Sequence, residues 1–279
     1  MAVPAWLQTL RSLRPTHVVT ALPRGSPLLM LSPRDLRRAD SAPIPRLTLP
    51  APFLASAALR AARDAGALLG LGRPTGESVP ARAFAAAIIA AATEVGISSP
   101  FFLCTDPLAF SDGERLRDGL QRYLDAGFGE VVLDASGAPP SNLGAGLASL
   151  REREVPIAVS APSLEACTPL LRALREAALT PDLLMLPSRP PGGAPLPVEL
   201  PLDAGGEDSR GVDLSGALAR MLHHLVPDVS TAALIALEAP QRDRLEAMVY
   251  AELLRVLRAG PWQGAAARVM GALAERPGY

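Results

Sequence analysis

From Leu47 onward the chain alternates short apolar runs of four to six residues with longer Ala-, Leu- and Arg-rich stretches whose apolar positions recur at helical spacing. A run buried on both faces is a strand of a parallel sheet, and each helical stretch is the crossover that brings the chain back to start the next strand. Runs at 46–49, 67–71, 101–105, 130–134, 156–160, 183–186 and 198–202 are read as strands. Helices are expected at 53–64, 80–95, 114–126, 142–153, 163–178 and 214–225. The stretch 232–237 is either an eighth strand that closes a barrel or a helical turn. At 242–257, Leu245, Met248, Val249, Leu253, Val256 and Leu257 form one stripe, which predicts an amphipathic helix on the sheet.

Seven or eight βα repeats in 279 residues predict a TIM-barrel-like (β/α)8 fold, complete or slightly incomplete. An open doubly wound sheet is the runner-up, although no G-x-G-x-x-G follows the first strand as its nucleotide-binding version requires. Residues 46–279 are read as one barrel domain and residues 1–45 as an N-terminal extension or cap. In that extension β-like runs at 17–22 and 28–31 flank Pro23-Arg24-Gly25-Ser26-Pro27, the pattern of a hairpin. Segments rich in Gly and Pro follow the expected strands at 72–76, 136–142, 187–197 and 204–211, where a barrel places its chemistry.

The basic residues narrow that chemistry. All 27 are Arg and none is Lys. A Schiff base needs an amine that can lose its proton, which Arg does not do at working pH, so lysine-dependent aldolases, pyridoxal enzymes, kinases and P-loop ATPases are excluded. The 28 acidic residues interleave with the arginines, and a net charge of −1 supplies no basic stripe for nucleic acid. Cys104 and Cys167 sit far apart in apolar surroundings, as expected of reduced thiols in a cytoplasmic protein. Neither a signal peptide nor a spanning helix is expected, so no membrane partner is.

Candidate catalytic groups are Asp106 and Asp134, each directly after an expected strand. A carboxylate at that rim can move a proton, ligate a metal or orient a hydroxyl, or it can cap the next helix or pair with an Arg. Arg73 and Arg189, in loops after strands, suit a small anionic ligand such as a phosphate or carboxylate. Glu199 and Asp203 either join the rim or face solvent. No metal site is expected: His17, His223 and His224 are the only histidines, and adjacent helix positions point about 100° apart. No cofactor motif and no G-x-S-x-G is present.

Several stretches taken together carry a resemblance. They are 49–54 (LPAPFL), Ala57-Ala58-Leu59-Arg60, Asp64-Ala65-Gly66, Thr93-Glu94-Val95-Gly96, Cys104-Thr105-Asp106-Pro107-Leu108, Tyr123-Leu124-Asp125-Ala126-Gly127-Phe128 and Val131-Val132-Leu133-Asp134-Ala135-Ser136, with a weaker echo in Pro190-Pro191-Gly192-Gly193-Ala194. In this order they resemble the class II ketose-bisphosphate aldolase superfamily of TIM barrels, nearest to the non-catalytic accessory type of tagatose-bisphosphate aldolase. In that family an Asp-His pair follows the third strand, the Asp moving a proton and the His binding zinc. Here Asp106 matches the Asp and Pro107 stands in the place of the His. The later zinc histidines and the phosphate-binding Gly-Gly-Ser run have no match.

The resemblance therefore implies an aldolase barrel with its metal site dismantled, acting as a structural, stabilising or regulatory subunit of a homo- or hetero-oligomer. The alternative is a metal-independent lyase or a binding protein for a small sugar phosphate or carboxylate, built on Asp106, Asp134, Arg73 and Arg189. A third is a pure assembly module that docks through residues 1–45 or 242–257.

Overall fold

The structure, a computed structural model, describes residues 4–74, 79–109, 112–205, 209–226 and 228–275. Parts of the expected loops at 72–76 and 204–211 lie outside these residues. Before the first strand come three short helices, α1 (Ala5–Ser12), α2 (Thr16–Ala21) and α3 (Pro33–Ala39). Then follow β1 (Ile44–Thr48), α4 (Ala55–Ala65), β2 (Leu69–Gly72), α5 (Ala81–Val95), β3 (Phe101–Cys104), α6 (Gly113–Asp125) and β4 (Val131–Asp134). The second half runs α7 (Leu143–Gly146), α8 (Ala148–Glu152), β5 (Ile157–Ser160), α9 (Leu164–Glu176), β6 (Leu183–Met185), β7 (Val198–Pro201) and β8 (Gly211–Asp213). Four helices end the described chain: α10 (Ser215–Leu225), α11 (Thr231–Ile235), α12 (Ala239–Ala259) and α13 (Ala265–Ala274).

All eight strands are parallel and stand in the order β3-β2-β1-β8-β7-β6-β5-β4, a barrel with one interrupted seam between β3 and β4. This is a TIM-barrel-like α/β fold. The cause of the interruption is local. Pro107 has no N–H to donate, so the chain beyond Cys104 leaves the ladder and rejoins it at Leu108, which bridges Leu133. Across the gap the Thr105 N–H donates to the Glu130 carbonyl at 3.1 Å. The Thr105 hydroxyl accepts the Val132 N–H at 2.9 Å, standing in for a missing backbone carbonyl.

The eighth strand is Gly211–Asp213, which is not among the expected strands, and 232–237 takes the helical of its two expected forms, with α11 spanning Thr231–Ile235. One expectation is corrected: residues 17–21 lie in α2 and form no hairpin strand. Only 28–31 is extended, with the Leu31 N–H on the Phe101 carbonyl at 3.1 Å and Met30 bridged to Phe101. Those residues, α1, α3 and α13 close the bottom of the barrel, where Leu10, Leu29, Leu31, Leu36, Val269 and Leu273 share one cluster with Ile44, Leu68, Phe102 and Leu183. Gly70 is required there: a Cβ on it would lie 2.5 Å from the Phe102 ring.

Around the outside, α4 buries Ala55, Ala57, Ala58, Ala61 and Ala62, and side chains this small let α5 and α12 approach it closely. Gly66 ends α4 at φ +63°, in the left-handed conformation that frees glycine from steric cost. Helix α12 lies on α4 through Leu245, Val249, Leu253 and Leu257, while Met248, expected in that stripe, is exposed. No helix among the described residues is long and apolar enough to cross a membrane.

Candidate functional site

The barrel interior is where the sequence departs from an ordinary core. In β7, Val198 and Leu200 pack outward with the cluster that includes Leu170 and Leu174 of α9, and by alternation Glu199 faces in. Arg46 of β1 is buried between the same walls, and Glu130, the residue before β4, is fully buried. From below, Arg37 of α3 reaches the same carboxylate. Its Nη2 lies 2.7 Å from Glu130 Oε1, Arg46 Nη2 takes Glu130 Oε2, and Arg46 Nε lies 3.4 Å from Glu199 Oε2. The result is a buried chain of alternating charge, Arg37–Glu130–Arg46–Glu199.

Carrying charges out of water costs several kcal/mol per ion, and only close pairing offsets it. Burial pushes the Glu199 carboxyl above the usual range, partly opposed by Arg46. Burial also pushes the Cys104 thiol up to about 11, so this cysteine is an inert part of the interior. At the upper end of the chain Glu199 Oε1 is buried without a hydrogen-bond partner.

Asp106 lies off this axis. Arg73, at the end of β2, places Nε and Nη2 each 3.3 Å from its two carboxylate oxygens. The Tyr123 hydroxyl of α6 donates to Asp106 Oδ1 at 2.5 Å, and the third Arg73 nitrogen donates to the Val79 carbonyl at 2.6 Å. Arg73 and Asp106 are each only 8% exposed, and Arg73 lines a cavity together with Tyr123. Burial and the adjacent carboxylate raise the Tyr123 hydroxyl above its ordinary pKa, holding it as a donor.

Asp134 ends β4 and accepts both the N–H and the hydroxyl of Ser136, at 2.9 and 2.7 Å. Its hydrogen bonds share no residue with those of Asp106. Arg189 is exposed on the Pro- and Gly-rich loop after β6 and lines a different cavity from Arg73. Asp203 faces solvent in an ion pair with Arg220 at 2.7 Å. The structure therefore joins Arg73 to Asp106 and leaves Asp134 and Arg189 separate.

Between the ends of β5, β6, β7 and β8 a cavity of about 420 Å³ opens at the barrel mouth, lined by Ser160, Met185, Leu186, Pro187, Glu199 and Asp213 among others. Asp213, which the missed β8 carries, spends Oδ1 on the N–H and hydroxyl of Ser215 at the start of α10. The readable signal was Gly211-Val212-Asp213 directly before a helix. Tyr123 and the interior arginines were missed because their partners are remote in sequence.

No family model and no curated protein sequence matches the chain. Solved structures do. The YdjI aldolase of Escherichia coli K12 superposes with a TM-score of 0.61 over 85% of this chain and 100% of its own, at 11% identity. The fructose-bisphosphate aldolase of Campylobacter jejuni does so at 0.54, over 82% and 94%, at 12% identity. The chain shares its barrel fold with these aldolases. At such identity the likeness extends to architecture and not to side chains, so the aldolase-type barrel must be judged on its own residues.

A zinc site of the aldolase kind does not fit them. Pro107 follows Asp106 and has no ligand atom. His17 is buried in α2 with Nε2 3.0 Å from the Phe128 carbonyl, and His223 and His224 are exposed on α10. Among the described residues no group of three or more His, Cys, Asp or Glu side chains is placed to hold a metal ion.

Proposed function

We propose that this chain is a non-catalytic aldolase-type barrel that serves as a structural, stabilising or regulatory subunit of an oligomeric assembly, in the manner of the accessory type it resembles. The observation that carries this reading is the engagement of Asp106. The carboxylate that matches the family's proton-transfer group is closed into an ion pair with Arg73 and a hydrogen bond from Tyr123. A buried acid held that way spends three of its roughly four acceptor sites inside the protein. The electrophilic half is also unsupported, because stabilising a developing enediolate takes a metal or an oxyanion donor, worth roughly 3–4 kcal/mol each.

The arrangement also weighs against a sugar-phosphate site built on Arg73 and Asp106, since each is the other's partner. The test is an assay of ketose-bisphosphate cleavage with zinc supplied, alongside sedimentation of the purified chain and of the chain with candidate catalytic barrels. No cleavage and a defined assembly larger than one chain are expected. Cleavage by the chain alone, or a strictly monomeric chain that joins no assembly, overturns the proposal.

A further inference from the structure

We propose that the cavity at the mouth of β5–β8 binds a small organic cation, a primary alkylammonium, with Glu199 and Asp213 receiving the charged head. Three observations on the cavity agree. First, Glu199 is one of the residues that line the cavity, it is 2% exposed, and its Oε1 is buried with no hydrogen-bond partner within the protein. A buried carboxylate oxygen left unpaired costs free energy that a donor from a ligand would recover.

Second, the mouth is acidic: Arg37 and Arg46 are paired with Glu130 and Glu199, and Asp213, register partner of Arg46, adds a further carboxylate next to the mouth. Gly211 belongs to the same design: a Cβ there would stand 2.8 Å from Glu199 Oε2, so glycine makes the room in which this side chain fits.

Third, most of the remaining wall is apolar. Met185, Leu186 and Pro187 line the cavity beside the two acids, which suits a short methylene stem behind an ammonium head. A bare divalent metal is a poorer fit, because no group of three or more ligating side chains is assembled among the described residues. A sugar phosphate is poorer still, since its anion would meet carboxylates. This proposal does not rest on the non-catalytic reading: an active barrel could hold the same cation.

The experiment is isothermal titration of the full-length chain with n-butylammonium and 1,4-diaminobutane, with butyrate and fructose 1,6-bisphosphate as opposed-charge controls. Saturable binding of the amines and none of the anions is expected. Glu199→Gln should weaken amine binding by about tenfold or more, as the loss of a charge-assisted hydrogen bond does. Because Glu199→Gln disturbs the interior charges and could unfold the chain, Pro187→Arg provides a second variant, at an exposed lining position. It adds a competing cation at the mouth, and it too should weaken binding by about tenfold. A folded wild-type chain that binds no amine, binds the anions instead, or binds amines equally well in both variants overturns the proposal.

Discussion

Replacing Glu130 with Gln removes the negative charge that Arg37 and Arg46 share. Before the change the interior holds two arginines and two glutamates; after it, two arginines face Glu199 alone. Glu130 is 0% exposed and Arg37 and Arg46 are 7% and 3% exposed, so water cannot compensate. Breaking one partner from a buried pair costs about 3–5 kcal/mol, a large part of a domain's typical total of about 5–15 kcal/mol. At about 2–4 °C per kcal/mol, Tm should fall by roughly 10 °C. The decisive comparison is a double-mutant cycle with Arg37→Met, read by urea denaturation monitored by circular dichroism. Glu130→Gln and Arg37→Met together leave Arg46 and Glu199 as a neutral pair, so the double variant should lose less than the sum by about 2 kcal/mol or more. A single-variant cost below about 1 kcal/mol, or additivity within about 0.5 kcal/mol, would refute the charge-chain reasoning.

Asp106→Asn should destabilise by about 2–3 kcal/mol, because it leaves the Arg73 guanidinium buried without its counter-charge; an unchanged urea midpoint would show the pair to be ornamental. Thr105→Val removes the acceptor of the Val132 N–H at the seam, and a loss of about 1–3 kcal/mol with faster amide exchange at Val132 is expected. The raised pKa of Glu199 makes the folded state hold a proton that the unfolded state has released. Stability should therefore fall as pH rises above the ordinary carboxyl value near 4.5 toward the higher folded value. In Glu199→Gln that slope should disappear from the Tm-against-pH profile, and an identical profile would contradict the assignment. His17 works in the opposite sense: burial lowers its pKa from 6.5, so stability should drop as pH falls below 6.5, and His17→Gln should flatten that drop.

Strand and helix alternation made the barrel readable, because apolar runs between helical stretches have few other solutions. The eighth strand escaped because it is three residues long and only Val212 is apolar; Gly211 and Asp213 face the interior, one for space and one for charge. Residues 17–22 misled through their β-branched Val18, Val19 and Thr20. In the fold, Pro15 sets the helix start and the burial of His17 and Val18 against the region of Phe128 overrides propensity. Arg46 between Pro45 and Leu47, and Glu199 between Val198 and Leu200, are single charges inside apolar runs and so mark inward polar positions. Their pairing was not readable, since Arg37 and Arg46 stand 93 and 84 residues from Glu130. Asp106 and Arg73 were both singled out, but as separate site residues and not as partners 33 residues apart.

The most direct measurement is the zinc stoichiometry of the protein purified from zinc-supplemented culture, paired with its rate of ketose-bisphosphate cleavage before and after chelation. On the proposed non-catalytic reading, a barrel in which Pro107 follows Asp106 and Arg73 holds that carboxylate should carry no stoichiometric zinc and show no chelator-sensitive cleavage. One tightly bound zinc per chain, with turnover that chelation abolishes and added zinc restores, would contradict it.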